Sequence, residues 1–572
     1  MRELVNEAIN GLVNEYPHIS TVIVEAPTGY GKTFNSHIPF LKFKDMGLAR
    51  GFIYVAPTRA LVRQQARDFL IKLQGQGFSI TYQSMDVNLK VEVPNIRSVS
   101  LTKNPLLSSD VNVTTIDSFM FNLMRMPVES LNKPVKWRYA TYRSYIFTSY
   151  VFLDEIHLMV EGSGLQLSSI LLGIHELTAS FTPSIIASAT LGSGRIKCIA
   201  TGKCGDTSLE TYREVANRVR VYRLGKENSK DGVFVTIRDK DWEDKTCEQN
   251  FNFKELNNID EIIKIIKEQY SRVLILTNTV KKAVDIYNLV SGIFGSNNVV
   301  LLHGKLDEYD RDINARNIDN ARIIVGTDAI GVGINPPNVN VLITDIPSSI
   351  DTFIQRIGRI CRNVEQDRDC HVYLLREGEE EEIPKYYTEV RDKLHEFNWR
   401  LPYDCVKKRG YDSLINSYVE FQSPDISSYQ DLYAKLSFIV IDQEDLKRSY
   451  RRYCNLIRDS VLIRGITNVD EPLTYSMALS MRDAEVLAKE YGKDIDIVAY
   501  ALHEDGNLQK ISINNDVKES VLKELADERK NECNRYFEIN NEINKLGSSY
   551  KALIIWGIDV SRIYRRGLGL VI

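Results

Sequence analysis

The sequence predicts an α/β chain: two tandem parallel-sheet domains at residues 1–205 and 206–395, then a mostly helical accessory domain at 396–572. Three observations carry the prediction. Short β-branched runs alternate with helical stretches, the unusual residues sit at the carboxyl ends of those runs, and the pattern gives way after residue 396 to longer charged helical segments. Strand–helix alternation of this kind builds a parallel sheet covered by helices, with ligands bound at the carboxyl ends of the strands.

The first set of runs is TVIVEAPTG at 21, GFIYVAPT at 51, NVTTID at 112, YVFLDE at 150 and SIIASAT at 184. The second is RVLILTNT at 272, VVLLHG at 299, RIIVGTD at 322, NVLITDIP at 340 and CHVYLL at 370. Residues 201–258 mix Gly, Asn, Asp and Lys with short apolar runs such as GVFVTI and read as a linker with some strands of the second domain. From Asn515 to about Lys545, Glu and Lys or Arg fall three or four apart, which predicts one long charged helix. At 572 residues the chain exceeds a single core, and its length points to roughly three or four domains.

With 43% hydrophobic and 26% charged residues, the composition is that of a soluble globular protein. The first twenty residues carry no apolar stretch ending in a cleavage site, and no apolar run is long enough to span a membrane, so the expected compartment is the cytoplasm. A net charge of −4 excludes coating of nucleic acid by bulk electrostatics, and any such contact must be local. The eight cysteines form no C-x-x-C pair and no ligand spacing with the eight histidines, so they are expected to be mostly buried thiols.

The strand VIVE runs into A-P-T-G-Y-G-K-T at 26–33, a P-loop with Ala26 at its first glycine position. Gly29 and Gly31 let backbone N–H groups curl around phosphates. Lys32 reaches the β and γ oxygens of ATP, and Thr33 offers a hydroxyl to Mg²⁺. About 120 residues later, YVFLDEIH supplies Asp154 as a second Mg²⁺ ligand and Glu155 to position or deprotonate the attacking water. Taken alone, such an acidic pair is an ordinary helix start; following a P-loop at this distance, it is a hydrolytic site. The string Q-R-I-G-R-I-C-R at 355–362 puts Arg359 and Arg362 three residues apart, on one face of a helix, as arginine fingers for the γ-phosphate.

These strings, with S-A-T at 188–190 and T-D-A-I-G-V-G-I-N at 327–335, stand in the order of motifs I, II, III, V and VI of superfamily 2 helicases, and over residues 20–365 the chain resembles that family of two RecA-like domains. The resemblance implies that His157 links nucleotide state to Ser188 and Thr190. It also implies that Gln355 and Asp328 sense the nucleotide, and that Gly331 and Gly333 permit the tight backbone of motif V. Pro57, Thr58 and Arg59 resemble motif Ia, Thr114 and Thr115 motif Ic, Thr279 motif IV, and Thr327 falls in motif V. Together they suggest a sugar–phosphate track with little sequence preference. Each of these threonines alone would serve as a helix cap. Two clusters outside the core interleave charge with aromatic rings: Lys447 to Tyr453, and Arg562, Tyr564, Arg565 and Arg566.

Within the superfamily, E-A-P-T-G-Y-G-K-T, N-V-T-T-I-D-S-F, L-L-H-G-K-L-D-E-Y-D-R and a terminal G-L-G-L-V are similar to the helicase of type I CRISPR interference. The chain has no His-Asp dipeptide, so the resemblance is to the stand-alone, nuclease-lacking form. It implies ATP- and Mg²⁺-dependent 3′ to 5′ translocation on single-stranded DNA, with a separate HD-type nuclease and a guide-RNA surveillance complex as partners and no membrane. A DNA-repair or RNA helicase shares the same motor, so RNA is not excluded. A catalytically silent nucleic-acid-binding adaptor is the alternative from another class, and the retained ATP-site residues argue against it.

Overall fold

The structure, a computed structural model, describes residues 1–73, 75–85, 89–93, 96–127, 141–160, 164–268, 272–328, 338–364, 369–376, 383–419, 423–437, 443–457, 461–503, 507–547, 550 and 552–572. They divide into two compact units. One comprises residues 1–276 and 331–443, the other residues 277–330 and 444–572. Gly331 and Gly333 lie outside the described residues.

The first unit is organised by a sheet of eleven strands. Eight are β1 (Thr21–Glu25), β2 (Gly51–Ala56), β3 (Ile80–Gln83), β4 (Leu89–Val93), β5 (Ile96–Lys103), β6 (Val111–Thr115), β7 (Ser149–Leu153) and β8 (Ser184–Ser188). Strands Val219–Leu224, Ser229–Asp231 and Phe234–Ile237 extend it beside β1. From β1 outward the order is β8, β7, β2, β6, β3, β5, β4, and all pairings are parallel except the hairpin at each edge. Central strands of a parallel sheet are covered on both faces, which is why β1 reads as an unbroken apolar run and why Val22, Ile23 and Val24 are buried. On one flank, helix Glu3–Glu15 lays Leu4, Val5, Ala8, Ile9 and Leu12, spaced at helical period, into the core that also holds Val22 and Val24.

The same unit holds a second parallel set, Asn250–Leu256 beside Asp369–Leu375, then Val339–Asp345, then Arg272–Thr277. The second unit contains the parallel pair Val299–Leu302 and Ile323–Thr327. It also contains a C-terminal sheet in the order Ser476–Ser480, Leu462–Ile466, Leu553–Asp559, Asp496–Leu502, Leu508–Ile511, packed with helices. The expected α/β class with two parallel sheets and a helix-rich C-terminal region is therefore present, and its helices are joined by this sheet.

Several expectations need correction. Val219–Leu224 pairs in register with β1, Thr21 opposite Val219, and Phe234–Ile237 follows beside it, so the first sheet runs past the boundary expected at residue 205. The run GVFVTI thus belongs to the first sheet. Residues 396–443, expected in the accessory domain, lie in the first unit. Leu401 joins the main core there, and the Trp242 indole donates to the carbonyl of Arg400.

The long charged helix is two helices, Asn515–Leu525 and Glu532–Gly547. The break follows from a local cap and a tertiary contact: Asn531 Oδ1 accepts from Cys533 N, starting the new helix, and buried Arg535 reaches back to the Leu525 carbonyl and Glu485. All eight cysteines are paired as disulfides rather than free: Cys198–Cys204, Cys247–Cys405, Cys361–Cys370 and Cys454–Cys533. No helix among the described residues is long and apolar enough to cross a membrane.

Candidate active site

Because β1, β8, β7, β2 and β6 are parallel neighbours, the loops leaving their carboxyl ends emerge along one edge, with Glu25 opposite Ser188 and Val55 opposite Leu153. That register assembles residues 26–33, 154–157, 188–190 and 57–58 in space, although they span 165 positions of sequence. Gly29 and Gly31 adopt φ of +85° and +97°, a region other residues enter at a cost, so the loop curls as the motif requires. Lys32 is 6% exposed and its Nζ donates to the carbonyls of Ala26 and Pro27. Burial lowers its pKa, opposed by the carboxylates of Glu155 and Asp154.

Asp154 follows β7 and is 1% exposed. Its Oδ2 accepts from Thr33 Oγ1 at 2.8 Å and from the Tyr54 hydroxyl. Burial and the adjacent Glu155 charge push its pKa up to about 6, against the pull of the two hydrogen bonds and Lys32. Burial alone would raise Glu155 too, but Lys32, His157, Arg359 and Arg362 together bring it below the usual range, so it is ionised. Its backbone sits at φ 49°, left-handed for a non-glycine residue, and local strain of this kind costs about 1–3 kcal/mol and gathers at functional sites. His157 is buried, and burial lowers its pKa, opposed by the Glu155 carboxylate. Its Nδ1 is 3.0 Å from Ser188 Oγ and 3.4 Å from Glu155 Oε2.

Helix Ile350–Ile357, capped by Ser349, ends before Gly358, so Arg359 and Arg362 lie in the turn after the helix rather than on it. The turn is fixed by Arg359 N to Arg356 O at 3.0 Å and by Cys361 N to the Val339 carbonyl at 2.7 Å. Both arginines still face the P-loop. Burial, then the charges of Arg359 and Arg400, lowers the Arg362 pKa. Gln355 Nε2 donates to Thr190 Oγ1 at 3.4 Å, so the S-A-T loop touches His157 through Ser188 and the arginine-bearing helix through Thr190.

One cleft of about 320 Å³ is lined by Thr28, Gly29, Gly31, Lys32, Thr33, Asp154, Glu155, His157, Gln355, Arg359 and Arg362, with Phe34, Leu61, Gln64, Gln65 and Asp68 forming a further wall. Three cations beside an ionised carboxylate suit a polyanion whose terminal phosphoryl group is attacked by water. The donor set also suits Mg²⁺, which takes hard oxygen ligands and is held by one or two carboxylates plus phosphate oxygens and water. Thr33 Oγ1 and Asp154 supply that pair, and among the described residues no larger cluster of acidic, His or Cys groups forms a metal cage.

The expected strand contacts are placed unevenly. Thr58 caps helix Arg59–Lys72 by accepting from Leu61 N, and half-buried Pro57 and Arg59 flank it. Thr114 is fully buried and its hydroxyl donates to the Thr115 carbonyl, so no phosphate reaches it in this conformation. Thr115, 8% exposed, bonds Ser118. In the second unit, exposed Thr279 caps helix Val280–Phe294, Thr327 is half-buried at a strand end, and Asp328 is exposed.

Of the aromatic–basic clusters, Arg448, Arg451 and Arg452 are exposed on helix Gln443–Ile457, while Lys447 and Arg451 lie over the Phe537 ring. Arg562 and Arg565 are exposed, but Tyr564 and Arg566 hold the chain end against buried Asp307 and Asp310. There His303 Nε2 donates to Leu568 O at 2.9 Å, and a Cβ on Gly569 would meet that ring at 2.5 Å. The L-L-H-G-K-L-D-E-Y-D-R and G-L-G-L-V strings are thus two sides of one packing unit.

Tyr54 and Glu25, to which the sequence reading assigns no role, also stand at the site. Tyr54 sits inside β2 opposite Phe152 and holds Asp154. Glu25, the last residue of β1, accepts from Leu191 N at 3.3 Å and is pushed up to about 7 by burial, against Arg223 and Lys32. Glu25 opens the string E-A-P-T-G-Y-G-K-T, a polar residue closing an apolar strand just before the P-loop.

Residues 6–197 match the DEAD/DEAH box helicase family model and residues 256–364 the helicase conserved C-terminal domain. The chain is 23% identical over 349 residues to a probable ATP-dependent RNA helicase, ddx52, of Dictyostelium discoideum, covering 59% of this chain and 44% of that protein. It is 23% identical over 353 residues to the CRISPR-associated helicase Cas3 of Thermoproteus tenax, covering 60% and 54%. The crystal structure of T. fusca Cas3 matches with a TM-score of 0.54 at 13% identity, over 83% of this chain and 64% of that one, a likeness of fold. The chain spans about half the length of the curated relatives it matches.

Proposed function

We propose that this chain, which carries both motor domains of the superfamily 2 helicases and is similar to Cas3, is a nucleic-acid-dependent ATPase that moves 3′ to 5′ on single-stranded DNA. In this reading it is the unwinding motor of CRISPR antiviral interference and works with a separate HD-type nuclease on a guide-RNA surveillance complex. One observation carries the catalytic part: Lys32, Thr33, Asp154, Glu155, Arg359 and Arg362 border a single cleft.

In the proposed reaction, ATP lies with its phosphates along residues 26–33, where loop N–H groups and Lys32 neutralise them. Thr33 and Asp154 would hold Mg²⁺, which would supply charge neutralisation at the phosphates. Glu155 orients a water molecule and takes its proton as the oxygen bonds to the γ-phosphorus and the bond to the bridging oxygen breaks, releasing phosphate and ADP. Arg359 and Arg362 stabilise the charge spread over the transferring group, an effect worth about 10³ to 10⁵ in rate in related enzymes. The state of Glu155 passes through His157 to Ser188, and Thr190 passes it to Gln355. That chain supports coupling of hydrolysis to the strand grip.

A second reading, an RNA motor, is supported by the RNA-helicase relative, which matches over as much of the chain as the CRISPR-associated one. Unwinding of matched duplexes tests the choice. The proposal expects ATP-dependent displacement from a 3′ single-stranded DNA tail and little from a 5′ tail. Activity confined to RNA tails would replace it with the second reading.

A further inference from the structure

We propose that Arg400 is a positioning residue for hydrolysis, a buried guanidinium that holds the Arg359–Arg362 turn against the P-loop. The inference rests on the ATPase reading above and adds to it a residue that no motif contains.

Arg400 is 1% exposed and lies forty residues beyond the arginine turn, in a segment that returns to the first sheet. Its own position is fixed first. Asn398 Oδ1 accepts from the backbone N–H of both Arg400 and Leu401, at 2.8 and 3.1 Å, and the Arg400 carbonyl accepts from the Trp242 indole at 3.2 Å. Leu401 packs into the core with Trp242, and Cys405 is joined to Cys247 on the same helix as Trp242. The side chain therefore projects from an anchored backbone.

The guanidinium then joins two loops. Nη1 donates to the Thr28 carbonyl of the P-loop at 3.2 Å and to the Gly358 carbonyl at 3.0 Å, while Nη2 donates to the Ile360 carbonyl. Gly358 and Ile360 flank Arg359, and the Gly358 carbonyl also accepts from Arg362 Nε at 3.3 Å. A planar fork with donors in fixed directions spans three carbonyls in this way, and a lysine ammonium does not. The approach is close: a Cβ on Gly358 would stand 3.2 Å from Thr28 Cβ, and one on Gly29 would stand 3.8 Å from Arg400 Nη1. One side chain thus bridges the phosphate-binding loop and the arginine turn through their backbone carbonyls.

Positional error of about 1 Å at a reacting centre costs around 100-fold in rate. In Arg400→Met, which keeps length and bulk but removes the fork, kcat for ATP is expected to fall by about 10- to 100-fold. KM for ATP and affinity for ADP should stay near wild type, and affinity for ADP–aluminium fluoride should fall in step with kcat. A residue needed only for folding would lower the thermal midpoint and leave that split unmoved. Wild-type kcat at a temperature where the variant is folded overturns the proposal, and so does equal loss of ADP and ADP–aluminium fluoride binding. If Arg400→Met does not fold, Arg400→Lys keeps the charge and is expected to show the same split, with unchanged kcat again overturning it. Failure of the motor reading shows instead in the wild-type chain, as turnover that no nucleic acid stimulates.

Discussion

Tyr54→Phe removes one oxygen atom from the site and leaves the ring, which stacks on Phe152 at 5.6 Å with the planes 11° apart. Since Tyr54 is fully buried, the substitution isolates its bond to Asp154 Oδ2. A hydrogen bond to a charged acceptor contributes about 1.5–3 kcal/mol, and about 1.4 kcal/mol corresponds to one pH unit in a pKa. Loss of the donor disfavours the charged form, so the Asp154 pKa moves from about 6 to roughly 7–8. At pH 7 the ionised fraction drops from roughly nine-tenths to between one-half and one-tenth. Protons compete with Mg²⁺ for this carboxylate, so the Mg²⁺ concentration giving half-maximal ATPase should rise about two- to tenfold at pH 7. At pH 9 both proteins are ionised and the difference closes. Superimposable Mg²⁺ titrations at pH 7, or a gap undiminished at pH 9, would refute the reasoning.

Arg362→Ala should leave ATP binding largely intact while slowing single-turnover hydrolysis by about 10³ or more, and a wild-type rate would remove it from the finger role. Glu25 lies against Leu191, Gly192, Arg223, Lys32 and Asp412, and its pKa is raised from 4.5 to about 7 by burial. An acid raised on folding contributes stability that is complete below its unfolded pKa and lost as pH rises through the folded one. The thermal midpoint should therefore fall between pH 5 and 8, and Glu25→Gln should flatten that fall; parallel curves would exclude it. Thiol titration of the denatured, unreduced chain should find none of the eight cysteines reactive and all eight after reduction. Because two of the pairs close 158- and 79-residue separations, each worth about 4–5 kcal/mol by chain entropy, reductant should lower the thermal midpoint.

The site groups at the ends of β1, β7 and β8 were legible because those three strands are parallel, so the residues at their carboxyl ends meet at one edge whatever their separation in sequence. Lys32, Asp154 and Ser188 carry that logic in their motifs. Arg400 does not, since its partners are backbone carbonyls, which any sequence supplies. The disulfides were hidden for a related reason: Cys247 and Cys405 are brought together by a segment returning to the first sheet, and no spacing rule spans that path. In residues 526–531 the charges keep their helical spacing, so only the buried reach of Arg535 to the Leu525 carbonyl reveals the turn. Thr58 and Thr279 were read both as caps and as phosphate contacts, and both are caps in the structure, which leaves their hydroxyls' second role to be tested on nucleic acid.

The most direct measurement is ATP turnover by the intact chain with no nucleic acid and with matched lengths of single-stranded DNA, duplex DNA and single-stranded RNA, using Lys32→Ala as the control. The account predicts strong stimulation by single-stranded DNA alone and no turnover in Lys32→Ala. Undiminished turnover in Lys32→Ala, or no turnover by the wild-type chain under any of these conditions, would contradict it.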